Sequence, residues 1–209
     1  MPFNKVSCGI GFYYLSEPPK EMVNIYDRVV VDPDNIVNMN SKYIAYLSVC
    51  EVGEYRDYFK EIKADWIIGK NEIWGNLIVD ITITEYQNLL FSLIDQFVKR
   101  GFRGVFLDTL DSYLIVIKNP EKINQYAESI ASFIKTIRQR YPHVEILVNR
   151  GFEYIDESFK DIINFFVVEE LYTYYDFESK KYLLKVNKKY YFWKMNLKRF
   201  FHMAYLLLL

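Results

Sequence analysis

Short apolar runs alternate along this chain with longer stretches in which apolar residues recur every three or four positions. The runs lie at 6–15, 28–32, 43–49, 77–81, 105–107, 144–148 and 162–168, bounded by Gly, Pro, Asn, Asp or Glu. Runs that are apolar on both faces suit strands of a parallel sheet covered on each side. Between them, residues 85–100 place Leu89, Leu90, Leu93, Ile94, Phe97 and Val98 at helical spacing. Lys99 and Arg100 suit the negative end of that helix, and Gly101 can terminate it in the left-handed region. Residues 121–140 repeat the pattern with Ile123, Ala127, Ile130, Ile134 and Ile137, and Pro142 stops it. Shorter helices fit 54–63 and 156–161, and the Lys/Tyr-rich segment 180–199 reads as helix.

Strand and helix in regular alternation predict an α/β chain, a (β/α)8 TIM-like barrel, folded as one domain over 1–209. Only 204–209 is left for an eighth strand, and a barrel of this type takes about 250 residues. The expectation is therefore a barrel incomplete at its eighth strand and helix, with a truncated C-terminus. No Gly-x-Gly-x-x-Gly follows the first run and no Walker loop occurs, so the nucleotide-binding α/β folds lose their main support.

Composition narrows the function classes. The net charge is −1 with both signs interspersed, so nothing favours nucleic acid as a partner. No run is long enough to span a membrane. The two cysteines, Cys8 and Cys50, lie in apolar runs and read as buried free thiols. The two histidines, His143 and His202, stand far apart, so neither a metal site nor any cofactor is expected. No signal peptide precedes the first run, which points to the cytoplasm, or to export if the true start lies upstream.

The candidate chemistry is carboxylate chemistry. Asp32, Glu51, Asp80, Asp108, Asp111, Glu153 and Glu169 all fall at or just after the end of an apolar run. One acid at such a place caps a helix or pairs with a base as readily as it reacts. Seven of them at the ends of parallel strands would crowd one mouth, where barrel enzymes build their sites. Strand alternation separates Glu169 from Glu170: if Phe165, Val167 and Glu169 share the inner face, Glu170 points away, and the reverse register is the alternative. Tyr13, Tyr14, Tyr46, Trp74, Tyr113, Tyr172, Tyr174 and Tyr175 stand near these acids and offer faces on which sugars stack, or simply core. Arg150 can steer an anionic group or pair with Asp108 or Glu169.

Five segments carry a resemblance. They are Tyr-Ile-Ala-Tyr-Leu-Ser-Val-Cys-Glu over 43–51, Trp-Gly-Asn-Leu-Ile-Val-Asp over 74–80, Gly-Phe-Arg-Gly-Val-Phe-Leu-Asp-Thr-Leu-Asp-Ser-Tyr over 101–113, Asn-Arg-Gly-Phe-Glu over 149–153 and Val-Val-Glu over 167–169. In this order they resemble glycoside hydrolase family 114, the endo-α-1,4-polygalactosaminidase-like proteins. The resemblance implies a TIM-like barrel that cleaves α-1,4-linked galactosamine-rich polysaccharide without a metal. It implies Asp108 and Glu169 as the catalytic pair. Asp111, Glu51 and Asp80 would be acids near the substrate, and Tyr13, Tyr46 and Arg150 would be sugar contacts. Two departures stand out: Cys50 occupies a place where the family pattern Ser-x-Gly-Glu has glycine, and the C-terminal end is short. The expected reaction is two-carboxylate glycoside hydrolysis, with the stereochemistry and the division of roles between the carboxyls open. The alternative is a carbohydrate-binding module or an inactive barrel remnant.

Overall fold

The computed structural model describes residues 9–150, 155–169, 173–176, 179–184 and 205–208. Its centre is a parallel sheet built from β1 (Ile10–Tyr13), β2 (Arg28–Val31), β3 (Tyr43–Ser48), β7 (Gly104–Asp108), β8 (Glu145–Asn149), β9 (Phe165–Val168) and β12 (Tyr205–Leu208), in that spatial order. The sheet curls through about 232°. No pairing joins β12 back to β1 among the described residues, so the barrel is open. Its outer face is packed by α2 (Thr84–Arg100) and α3 (Pro120–Arg140); a short α1 (Lys20–Ile25) links the first two strands.

The two long helices form where their apolar spacing predicts. Leu90, Ile94 and Phe97 of α2, and Ile130, Phe133, Ile134 and Ile137 of α3, enter one core with Val29, Ala45, Leu47, Val105, Leu107, Ile146 and Val148 from the outer sheet face. Gly101 ends α2 with a φ of 92°, the left-handed conformation that glycine adopts without steric cost. The Asn119 side chain starts α3 by accepting from the Glu121 and Lys122 amides.

The alternate strand positions face inward. Ile10, Val30, Ile44, Phe106, Leu147 and Val167 form a second, separate cluster, flanked by Phe12, Tyr46 and Phe165. Phe12 and Phe106 meet across the interior, 5.4 Å between ring centroids, although β2 and β3 separate their strands in the sheet. Below them an ion pair plugs the N-terminal end of the barrel. Arg28 Nε and Nη2 donate to Glu145 at 2.5 and 2.8 Å. Arg103 donates to the same carboxylate at 2.9 Å, and the Arg28 guanidinium lies 4.6 Å from the Phe165 ring centroid. Gly104 makes this closure possible, because a Cβ there would stand 2.4 Å from the Glu145 carbonyl oxygen.

Burial by itself would raise the Glu145 pKa, but the hydrogen bonds and charge of Arg28, aided by Arg103, outweigh it and hold the carboxyl below its ordinary value. A depressed folded-state pKa stabilises the fold at every pH above the unfolded value, and this contribution fades as pH falls through the folded one. Urea midpoints are expected to drop as pH is lowered below about 4.3. In an Arg28→Met variant that part of the acid dependence should shrink. An unchanged profile would refute the assignment.

Two expectations from the sequence are corrected. Residues 77–81 do not supply a barrel strand: β6 (Asn76–Val79) lies in a separate three-stranded antiparallel sheet with β4 (Glu51–Val52) and β5 (Ile67–Asn71). This small sheet occupies the chain between β3 and α2, so β3 pairs directly with β7. The segment begun at 180 is not helix where it is described: β11 (Lys181–Leu184) pairs antiparallel with β10 (Thr173–Asp176). Residues 185–199 lie outside the described residues, as do Cys8, Glu153, Glu170, Tyr172 and His202. The short helices expected at 54–63 and 156–161 are single 3-10 turns, at Asp57–Glu61 and Glu157–Phe159. The run 204–209, assigned to a final strand, does add one to the sheet, parallel to β9.

Candidate active site

Inward parity carried one residue past each apolar layer defines the mouth. Tyr14 follows Phe12, Asp32 follows Val30, Tyr46 follows Ile44, Asp108 follows Phe106, Asn149 follows Leu147 and Glu169 follows Val167. Because the strands are parallel, all six lie at the same C-terminal rim.

Asp108 is held from two sides. The Tyr46 hydroxyl donates to Oδ2 at 2.9 Å, and Asn149 Nδ2 donates to Oδ1 at 2.8 Å. Both carboxylate oxygens therefore accept a hydrogen bond. Asn149 is 5% exposed, and its Oδ1 makes no hydrogen bond among the described residues. The carboxylate dictates which end of that amide faces it, since an oxygen turned toward Asp108 would meet only acceptors. Burial, then the charge and hydrogen bond of Asp108, raise the Tyr46 pKa far above that of an ordinary phenol. Tyr14 is raised in the same sense by burial and by the charges of Asp108, Glu169 and Asp32. Both tyrosines stay protonated as donors, and the three acids converge on Tyr14. Its ring meets Tyr46 edge-on at 5.2 Å.

Asp32 is not left as an open charge. Arg56, 8% exposed, donates to Asp32 at 2.6 Å and to Asp34 at 2.8 Å. Burial alone would lower the Arg56 pKa, but the two carboxylates reverse that.

Backbone strain marks the same rim. Thr109 and Arg150, the residues after Asp108 and Asn149, both have a φ of 61°. For a β-branched residue this conformation is rare and costs about 1–3 kcal/mol. The Thr109 hydroxyl offsets that cost. It accepts from the Val49 and Cys50 amides at 3.0 and 3.1 Å and meets Ser48 Oγ at 2.9 Å. Ser48 in turn donates to the Glu51 carbonyl. The exits of β3 and β7 are thereby tied together beside Asp108. Thr109→Val is expected to lower unfolding stability by about 1–3 kcal/mol, because the Cys50 amide loses its acceptor. Thr109→Ser should stay within about 0.5 kcal/mol of wild type. Equal urea midpoints for the Val and Ser variants would contradict this.

The remaining predicted site residues form a second group. Glu51, only 2% exposed, accepts from Ser112 Oγ at 2.5 Å, Asn71 Nδ2 at 2.8 Å and Asn76 Nδ2 at 3.1 Å. Its donors come from the small sheet and from the loop after β7, which it pins to one another. Asp80 accepts from the Thr82 amide and hydroxyl at 2.9 and 2.7 Å, and the Tyr126 phenol is held protonated first by burial and then by Asp80. Asp80 fixes the turn into α2. Asp111, Glu51 and Asp80 all act on buried Cys50, whose thiol is pushed up first by burial and then by their charges. Asp111 also reaches Arg150 at 3.6 Å. Tyr13 is corrected: it packs against the outer, helix-side core, and its neighbour Tyr14 faces the mouth. Tyr113 is buried and stacked on Tyr126 at 5.0 Å. Trp74 sits on the turn between β5 and β6, largely exposed.

Asn149 and Arg56 were passed over in the sequence. Asn149 was findable, since it ends an apolar run at inward parity as Asp108 does. Arg56 carries no local signal. Among the described residues, no group of three or more His, Cys, Asp or Glu side chains is placed to hold a metal ion. No helix among them is long and apolar enough to cross a membrane.

The model of glycoside-hydrolase family GH114 matches residues 5–194. The chain belongs to this family. Among solved structures, the glycoside hydrolase domain of PelA from Pseudomonas aeruginosa superposes with a TM-score of 0.79 at 22% identity, covering 92% of this chain and 79% of that one. Aspergillus fumigatus Ega3, solved in complex with galactosamine, superposes with a TM-score of 0.69 at 13% identity, covering 97% of this chain and 76% of that one. An uncharacterized protein of Thermotoga maritima is 24% identical over 167 residues, 70% of this chain and 52% of the relative. Uncharacterized protein MJ1477 of Methanocaldococcus jannaschii is 29% identical over 99 residues, 45% of this chain and 29% of the relative. The chain thus spans about half or less of the length of these two curated relatives.

Proposed function

We propose that this chain hydrolyses an α-1,4-linked galactosamine-type polysaccharide by a two-carboxylate mechanism, with Asp108 as nucleophile and Glu169 as general acid and base. The observation that carries this reading is that strand parity and register set Asp108 and Glu169 at the C-terminal ends of inward-facing positions of the same parallel sheet, with both oxygens of Asp108 already accepting hydrogen bonds. An acceptor-only carboxylate suits attack on the anomeric carbon. Glu169 would give its proton to the departing glycosidic oxygen as that bond breaks, leaving a glycosyl ester on Asp108. It would then take a proton from water as the water oxygen attacks the same carbon and releases Asp108, with net retention. Tyr46 and Asn149 orient Asp108 throughout.

The sugar class is supported by family membership, by the galactosamine in the Ega3 complex and by charge. A protonated amino sugar is attracted to a mouth containing Asp108 and Glu169, and Asp32 is already paired with Arg56.

The test is reducing-end release from a panel of defined polymers: α-1,4-galactosamine at several degrees of acetylation, chitosan and a neutral α-galactan. Release from the first alone, with the initial anomer retained by proton NMR, is the expected result. Release from none, or preferential release from the neutral polymer, would overturn the reading.

A further inference from the structure

A strip of stacked side chains leaves the mouth on the β3 side. It begins at Tyr46, whose hydroxyl binds Asp108. The Arg56 guanidinium lies 5.6 Å from the Tyr46 ring centroid and 5.0 Å from that of Tyr55. The strip ends at Tyr55, which is 72% exposed. A large ring shown to water is ordinary when it is loosely tethered, but this one is seated. Arg56 beneath it is locked to Asp32 and Asp34. Gly53 makes room for it, since a Cβ there would stand 2.2 Å from a ring atom. The Arg56 amide closes the turn between them by donating to the Gly53 carbonyl at 3.1 Å. One ring face rests on a buried cation, and an edge rests on a glycine. The rest of the ring is presented to solvent.

We propose that Tyr55 is a stacking platform for a sugar unit of the bound polymer remote from the bond being cleaved, so that the site grips a chain and not a single residue. The proposal rests on the hydrolytic reading above for the identity of the polymer. A pyranose has a face of C–H bonds that packs on an aromatic ring while its polar groups stay hydrated, and a pre-ordered ring binds without loss of side-chain entropy. Arg56 supplies the order: its guanidinium makes a cation–π contact with both rings and cannot lose its charge. Tyr55 therefore discriminates substrates by length and takes no part in the bond-breaking step.

The experiment compares wild type, Tyr55→Ala and Tyr55→Phe on a ladder of α-1,4-galactosamine oligomers of increasing length. It measures kcat/KM and, by calorimetry, affinity for the longest member. Tyr55→Ala should match wild type on the shortest cleaved oligomer and fall by about tenfold on the longest, equivalent to about 1.4 kcal/mol. Tyr55→Phe should follow wild type throughout, because the ring face and not the hydroxyl makes the contact. The proposal is overturned if Tyr55→Ala equals wild type along the whole ladder, if it loses equally at every length, or if Tyr55→Phe loses as much. Wild type that cleaves nothing but binds the longest oligomer in a Tyr55-dependent way would sink the hydrolytic reading and leave the platform standing. Wild type that neither cleaves nor binds would sink both.

Discussion

Asp108→Asn is expected to lower kcat on galactosamine polymer by about four orders of magnitude or more, the size of loss seen when a nucleophile is removed from a catalytic unit. The amide has the shape of the carboxylate but little nucleophilicity, and its NH2 must confront either the Tyr46 hydroxyl or the Asn149 amide, both of which donate in the wild type. Glu169→Gln should cost about 10²–10⁴, the usual share of proton transfer. The two losses differ in kind. A substrate with an aryl leaving group needs no proton to depart, so it should restore much of the first step to Glu169→Gln and none to Asp108→Asn. Polymer binding should persist in both variants. Unchanged turnover in either variant would remove it from the pair, and rescue of Asp108→Asn by the aryl group would exchange the two roles.

Arg56→Met is expected to be the most damaging change away from the carboxylate pair. Removing one partner of a buried ion pair costs about 3–5 kcal/mol, because the other charge is left uncompensated. Here Asp32 bears most of that penalty, since it is nearly buried and Asp34 is partly exposed. A value near the lower end, about 3 kcal/mol by urea unfolding at neutral pH, is the expectation. Adding Asp32→Asn to Arg56→Met should recover part of it, and a double-mutant cycle reports the coupling. If the two losses simply add, Arg56 is a packing residue and its bond to Asp32 contributes nothing measurable. The same variant should also disorder the Tyr55 ring and reproduce the length-dependent loss of Tyr55→Ala.

Much of the fold was legible because its signals are local. Residues 85–100 and 121–140 repeat apolar positions at helical spacing, and α2 and α3 form there within a residue of that reading. The misassigned run at 77–81 shows the boundary of such reasoning. Leu77, Ile78 and Val79 have the composition of a strand, and a strand they form. Whether it joins the parallel sheet or pairs antiparallel with β4 and β5 depends on residues up to 27 positions away. The segment from Lys181 fails for a related reason, since its conformation is set by pairing with Thr173–Asp176 and not by the propensity of Lys, Tyr and Leu.

The candidate site divides in the same way. Asp108 and Glu169 are legible as candidates because each acid ends an apolar run, but the sequence leaves open whether Glu169 or Glu170 points inward. Tyr13 comes from the family resemblance, and residues 10–14, apolar or aromatic throughout, carry no sign of which face is inner. The resemblance implies Glu51 as an acid near the substrate, and three donors from 20 to 61 residues away enclose it.

By itself the amino-acid sequence determined the two long helices, the runs that form the parallel strands and, through its motifs, which family the chain belongs to. Only the tertiary structure decided that the barrel stays open and that the fourth run leaves it. It alone divided the acids, bringing Asp32, Asp108 and Glu169 around Tyr14 and Glu51, Asp80 and Asp111 around Cys50. The reason is range: periodicity and turn chemistry act over a few residues, whereas strand partners, ion pairs and burial depend on which distant segments share a surface.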